Sequence, residues 1–148
     1  MSYTTAELAR ILQQPDYAIE RGSLFAGRAP STATLWRNER EFQRVVVDAY
    51  AAWAMLNGED AILCHIANEN AHRQPGVVGG MPDLMLCAMR GGYGSLYVEL
   101  KVGSGKVSAK QRDVHQRLRR AGYKVVVIWD SVEEVMGEIE RYLKGSES

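Results

Sequence analysis

The sequence predicts an α/β domain: a mixed sheet flanked by helices, in the order helix, three strands, helix, strand, helix. Three patterns predict it. Phe42, Val45, Val46, Ala49, Trp53 and Leu56 recur at helical spacing. Residues 95–102 alternate strictly. Leu96, Val98, Leu100 and Val102 form one face and Ser95, Tyr97, Glu99 and Lys101 the other, the period of a strand with one buried side. Ser108 and Ser131 give helix-cap signals on either side of the apolar run 123–129, which becomes a strand between two helices.

Taken in order, Thr4 or Thr5 caps a short helix through Gln14, with Leu8, Ile11 and Leu12 on its apolar side. Residues 21–34 are rich in Gly, Ser, Ala, Thr and Pro, and read as a linker. Residues 1–35 are thus an N-terminal helical arm, residues 36–144 the main domain and residues 145–148 a flexible tail. Asn38 is the expected N-cap of the first core helix, which Gly58 ends. Glu39 precedes Phe42 by three residues and Gln43 by four, so it extends the inward stripe. Residues 61–67 form the first strand. The apolar run 84–89 reads as a strand buried on both sides. The glycine-rich segment 90–94 turns it into a hairpin with the alternating strand. Ser108 caps a helix ended by Gly122, and Ser131 with Glu134 fits a capping box for the last helix.

With 148 residues, 46% of them apolar and 24% charged, the chain is long enough for one domain with a real core. Net charge is zero, so no global basic excess points to nucleic acid. A local one does: residues 101–124 hold eight basic side chains and one acidic one, Asp113. Cys64 and Cys87 lie in apolar runs and read as buried thiols, with no zinc spacing. No signal-peptide pattern or membrane-length apolar stretch occurs, so the expected location is the cytoplasm.

The chemistry concentrates at Asp83 and the Glu99-Leu100-Lys101 triplet. Fifteen residues separate Asp83 from Glu99. Glu99 and Lys101 share a strand face, and a hairpin brings the Asp83 end of its strand beside them. Alone, Glu-x-Lys on a strand is more often a cross-strand ion pair. Two carboxylates beside a lysine suit a hard cation such as magnesium or manganese. Each carboxylate raises the other's pKa, and a divalent cation removes that conflict. Such a site polarises a phosphate and activates a water.

These residues resemble the PD-(D/E)xK nuclease motif, Met81-Pro82-Asp83 with Glu99-Leu100-Lys101, and more closely the VRR-NUC branch. Glu39-x-x-x-Gln43, Arg90-Gly91-Gly92-Tyr93, residues 107–111 and Ala121-Gly122-Tyr123 also resemble that family's segments. The resemblance implies a restriction-endonuclease-like core and a metal-dependent DNA endonuclease, with Mg2+ or Mn2+ as cofactor. It implies Asp83, Glu99 and the Leu100 carbonyl as metal ligands, and Lys101 acting on the attacking water. Glu39 completes the acidic cluster, directly or through water. Gln111 orients Lys101 or the scissile phosphate, or simply closes a capping box with Ser108. Lys106, Lys110 and Arg112 are the expected DNA contacts. Stand-alone phage members of this size resemble homodimeric enzymes that cut branched DNA such as four-way (Holliday) junctions. This implies a homodimer acting on branched or duplex DNA, in DNA repair, in a bacterial or phage-infected cell. The stretch 68–80 is short for the family, which leaves shape selectivity open.

Two rival readings stand beside it. One is a less selective or restriction-type nuclease, although base readout normally needs more chain. The other is an idle DNA-binding or assembly module, against which the intact Asp83, Glu99 and Lys101 argue. His65, His72 and His115 are too scattered for a zinc site, with one expected buried and two on the surface. Gly103-Ser104-Gly105-Lys106 fails as a phosphate loop, because Leu100 and Val107 occupy its essential Gly and Ser/Thr positions.

Overall fold

The structure, a computed structural model, describes residues 36–68 and 73–145. Within them the elements are α1 (Glu39–Asn57), β1 (Ile62–His65), β2 (Leu84–Cys87), β3 (Leu96–Lys101), α2 (Ala109–Arg120), β4 (Lys124–Trp129) and α3 (Val132–Leu143). This is the expected order. The expected arm at residues 1–35, His72 and most of the expected tail lie outside the described residues.

Local chemistry sets the helix ends. Asn38 Oδ1 accepts from the Glu41 N–H at 2.9 Å. Gly58 closes α1 at φ 63°, a left-handed conformation that glycine adopts without a steric cost. The α2 cap is reciprocal: Ser108 Oγ accepts from Gln111 N–H, and Gln111 Oε1 accepts from Ser108 N–H.

The strands form one sheet in the order β1-β2-β3-β4. The first three make an antiparallel meander, and β4 joins β3 in parallel. A parallel neighbour requires a crossover, and α2 supplies it. Leu84, Leu86, Leu96, Val98 and Leu100 are fully buried on one sheet face. Phe42 and Val46 of α1 and Val135 and Ile139 of α3 belong to the same core. Trp36 stacks on Phe42 with ring centroids 5.3 Å apart.

On the other face α2 packs over β4. The β1–β2 half of that face behaves differently, and two expectations fail there. Cys87 is exposed and Cys64 only half-buried, so neither is a buried thiol. The strand stops at Cys87, and Met89 beyond it is exposed. The run 84–89 is therefore not buried on both sides; Leu84 and Leu86 are buried in the core, and Ala88 packs against it half-buried. Strand β4 is likewise half-buried, and its last residue, Trp129, is exposed. Strand β1 is shorter than the predicted 61–67.

An ion triad ties α3 to the start of β4. Glu138 is buried, and its two oxygens meet Lys124 Nζ and Arg141 Nη2, each at 2.8 Å. Burial pushes the Glu138 carboxyl up, but the bonds and charges of Lys124 and Arg141 win and hold it below the usual carboxylate range. A depressed carboxylate contributes stability that is present above its unfolded pKa and lost as pH falls through the folded one. Glu138→Gln should therefore lower the unfolding free energy by about 1–3 kcal/mol at neutral pH. The gap from wild type should close in acid. Urea titrations at neutral and acid pH check this, and a gap that is independent of pH would exclude a charge effect.

Candidate active site

Strand β3 carries the central residues. Glu99 and Lys101 alternate with the core residues Val98 and Leu100, so they project from the face that α2 covers. The register of β2 on β3 pairs Leu84 with Val98. Carried one residue further, it sets Asp83 opposite Glu99, and one further again Pro82 opposite Leu100. Proline has no N–H to offer the Leu100 carbonyl, so the ladder ends there. The Leu100 N–H donates instead to Asp83 Oδ2 at 2.7 Å. In a strand the N–H and C=O of one residue point toward the same neighbour. The Leu100 carbonyl therefore faces the Asp83 side. Proline followed by aspartate both frees a carbonyl and anchors a carboxylate.

Glu99 and Lys101 are buried at 1% and 5% exposure. Glu99 Oε1 accepts from Lys101 Nζ at 2.8 Å and from Gln111 Nε2 at 2.7 Å. Its Oε2 lies 3.4 Å from His115 Nε2. Glu39, at the start of α1, places Oε1 3.4 Å from Lys101 Nζ. The five residues singled out in the sequence thus converge: Asp83 through β2, Glu99 and Lys101 through β3, Glu39 through α1 and Gln111 through α2. One role differs from expectation. The Gln111 amide contacts Glu99, neither Lys101 nor an open phosphate position. Its oxygen closes the capping box with Ser108, as one of the two readings expected, and its nitrogen serves Glu99.

The electrostatics follow from burial and like charge. Burial pushes the Asp83 carboxyl up to about 6, with Glu99 and Glu39 adding to the shift and the Leu100 N–H opposing it. Burial also raises Glu99, against the bond and charge of Lys101. Lys101 is pulled down by burial, but Glu99 and Glu39 outweigh that and raise it, so it remains an ammonium. Burial, with Arg119 and Lys101, lowers the His115 imidazole.

The donor set fits a hard divalent cation. Asp83 and Glu99 face one another across β2 and β3, and each raises the cost of ionising the other. Among the described residues, no three His, Cys, Asp or Glu side chains form a ready cluster for a metal. A cation that keeps several waters and takes one or two carboxylates suits this set better than one that needs a full protein cage. The Leu100 carbonyl adds an oxygen of the right hardness.

Lys106, Lys110 and Arg112 are all exposed. Lys110 abuts the loop that leads into Asp83, and Arg112 donates to the Val107 carbonyl at 2.6 Å.

Two residues of the site's surroundings were missed in the sequence. His115 lies one helical turn beyond Gln111 on α2, and that spacing was its only signal. Asp130 adopts φ 55°, and both its oxygens accept from the Gly103 N–H at 3.0 Å. It thereby fixes the loop that follows Lys101. Nothing in the sequence marks Asp130 beyond its place before the Ser131 cap.

Gly80 shows how closely the Asp83 loop meets α2. Its φ is 86°, and an added Cβ would lie 3.0 Å from Lys110 Cγ and 3.1 Å from the Lys110 carbonyl oxygen. Gly80→Ala should cost about 1–3 kcal/mol of stability and slow any reaction that depends on Asp83. Denaturant titration tests the first part, and an unchanged midpoint would exclude this loop conformation.

A mixed four-stranded sheet with flanking helices, and a carboxylate pair and lysine at adjoining strand ends, defines the restriction-endonuclease-like class of α/β fold. The model of the VRR-NUC domain family matches residues 30–129, and the chain belongs to that nuclease family. A solved structure of a VRR_NUC domain protein matches it with a TM-score of 0.58 at 24% identity, covering 76% of this chain and 93% of that one. A comparison with curated proteins found no match. Among the described residues no helix is long and apolar enough to cross a membrane.

Proposed function

We propose that this chain is a divalent-metal-dependent endodeoxyribonuclease that acts as a homodimer on branched DNA such as four-way junctions. The observation that carries the reading is the convergence of Asp83, Glu99 and Lys101 on one sheet face, with Glu39 and Gln111 reaching the same point. Asp83, Glu99 and the Leu100 carbonyl are the groups that would hold Mg2+ or Mn2+, with Glu39 joining directly or through water. When bound, the cation supplies charge for the phosphate and acidifies a water.

The chain's own residues do the rest. Lys101 is an ammonium between Glu99 and Glu39, so it acts as a donor and not as a base. It orients the attacking water or stabilises the charge that grows on the phosphate oxygens. Gln111 holds Glu99 Oε1, which leaves Oε2 as the less occupied oxygen of that carboxylate. Lys106, Lys110 and Arg112 line the rim, where they neutralise flanking phosphates. Selectivity for branched DNA and the homodimer rest on resemblance to stand-alone phage members, where two-fold symmetry offers paired sites for paired nicks.

Incubation of the protein with matched labelled duplex, flap and four-way DNA, in magnesium, manganese or EDTA, tests the reading. Metal-dependent cutting of the junction alone is expected. Equal cutting of plain duplex would sink the branch selectivity, and binding without cutting would point to an idle module.

A further inference from the structure

The chain has three tryptophans. Trp36 and Trp53 are buried, at 2% and 6% exposure, whereas Trp129 is 43% exposed. Trp129 stands beside the proposed site. The parallel register pairs it with Lys101. Residues paired in this way project from the same sheet face, with their strands ~4.8 Å apart. The indole therefore rises next to the Lys101 stem, at the end of the sheet where the carboxylates gather.

Its one polar atom is already used. The indole N–H donates to the Gly105 carbonyl at 2.9 Å. Gly105 borders the site: an added Cβ there would lie 3.6 Å from both Glu39 Oε1 and Lys101 Cδ. The bond fixes the indole to this loop, so the surface left to solvent is apolar ring. Lys106, exposed, is the next residue. A single exposed aromatic is ordinary on a protein surface. An aromatic pinned through its only polar atom, one strand away from the lysine of the proposed site and next to an exposed cation, is a preorganised surface.

Nucleobases stack on such rings whatever their sequence, because every base has a π-face. In the interior of a duplex both faces of each base are already covered by its neighbours. A ring beside the scissile phosphate can stack only on a base that has left the helix, at a branch point, a gap or a single-stranded end. We infer that Trp129 is the stacking platform for an unstacked nucleobase next to the scissile phosphate, with Lys106 contacting an adjoining phosphate. This rests on the nuclease reading above and names the feature of branched DNA that the site grips: an unstacked nucleotide at the cut.

Tryptophan emission of the full chain tests it without turnover. In EDTA the chain is titrated with a single-stranded thymidine oligonucleotide and, separately, with a long duplex, in which nearly every base is stacked on both faces, at equal nucleotide concentration. Fluorescence anisotropy of labelled DNA reports binding in parallel. Because Trp36 and Trp53 are buried, quenching reads Trp129. Saturable quenching by the single strand is expected, with little by the duplex. Trp129→Ala should weaken single-strand binding about 10-fold more than duplex binding. Trp129→Phe keeps a ring but loses the N–H, and should restore most of the difference. Single-strand binding without quenching would overturn the platform, as would equal quenching by duplex. A Trp129→Phe variant as weak as Trp129→Ala would also overturn it, because the anchored loop would then matter and the ring would not. Wild-type cleavage in magnesium separates the two readings: cutting without quenching removes the platform alone, and no cutting of any DNA removes the nuclease reading with it.

Discussion

Lys101→Ala should lower the single-turnover cleavage rate by about 10²–10³-fold, the range for loss of one preorganised donor at a charge-developing centre. The structure explains why the loss would be large. Lys101 Nζ sits 2.8 Å from Glu99 and 3.4 Å from Glu39, and it is the cation between them. On the proposed mechanism its removal takes away the donor for the water or phosphate, and among the described residues it leaves Glu99 with Gln111 and His115. Binding should change little, since Lys106, Lys110 and Arg112 on the rim are untouched. Lys101→Arg should not rescue cleavage, because a planar guanidinium cannot occupy a site built for a compact ammonium at 5% exposure. Rates with labelled junction DNA in magnesium, set against anisotropy in EDTA, check both halves. Undiminished cleavage by Lys101→Ala would remove Lys101 from the mechanism.

Much of this site was legible because period and capping are local properties. The alternation across residues 95–102 put Glu99 and Lys101 on one face, and the structure has them there, but that face is buried too, so β3 is covered on both sides and not on the one side expected. The Asn38 and Ser108 caps fixed the starts of α1 and α2, which set the phases of Glu39 and Gln111. What stayed hidden depends on which surface covers which. An apolar run such as 84–89 does not say whether one face or both are covered. Helix α2 lies over β4, and Cys87 and Met89 remain exposed. The apolar run 123–129 hides the same ambiguity: Trp129, the last residue of its strand, is exposed. His115 and Asp130 act across the fold, on Glu99 and Gly103, and such contacts leave no local spacing to read.

Asp83→Asn should end cleavage and yet make the metal-free protein more stable at neutral pH. Burial and the neighbouring carboxylates push the folded-state Asp83 carboxyl up to about 6, against roughly 3.9 in an unfolded chain. For an acid raised in this way, the folded state binds the proton more tightly than the unfolded one. The associated stability is present below the unfolded pKa and is lost as pH rises through the folded value. Above pH ~7 the wild-type chain should therefore be weaker by on the order of 2–3 kcal/mol than it would be with a neutral residue there. Asparagine is neutral at every pH, and its carbonyl oxygen can still accept the Leu100 N–H that now goes to Asp83 Oδ2. The variant's stability should accordingly stay flatter between pH 4 and 7, and exceed that of wild type at the upper end. Magnesium or manganese should reverse the order. A cation bound by the folded state alone stabilises it in proportion to the logarithm of its concentration over Kd. Wild type has the carboxylate to hold it and the variant does not. Urea titrations across this pH range, in EDTA and in metal, measure both effects together. A wild-type midpoint that ignores both metals would exclude Asp83 as a ligand. An Asp83→Asn variant less stable than wild type in EDTA would mean that the charge of Asp83 is already compensated within the fold.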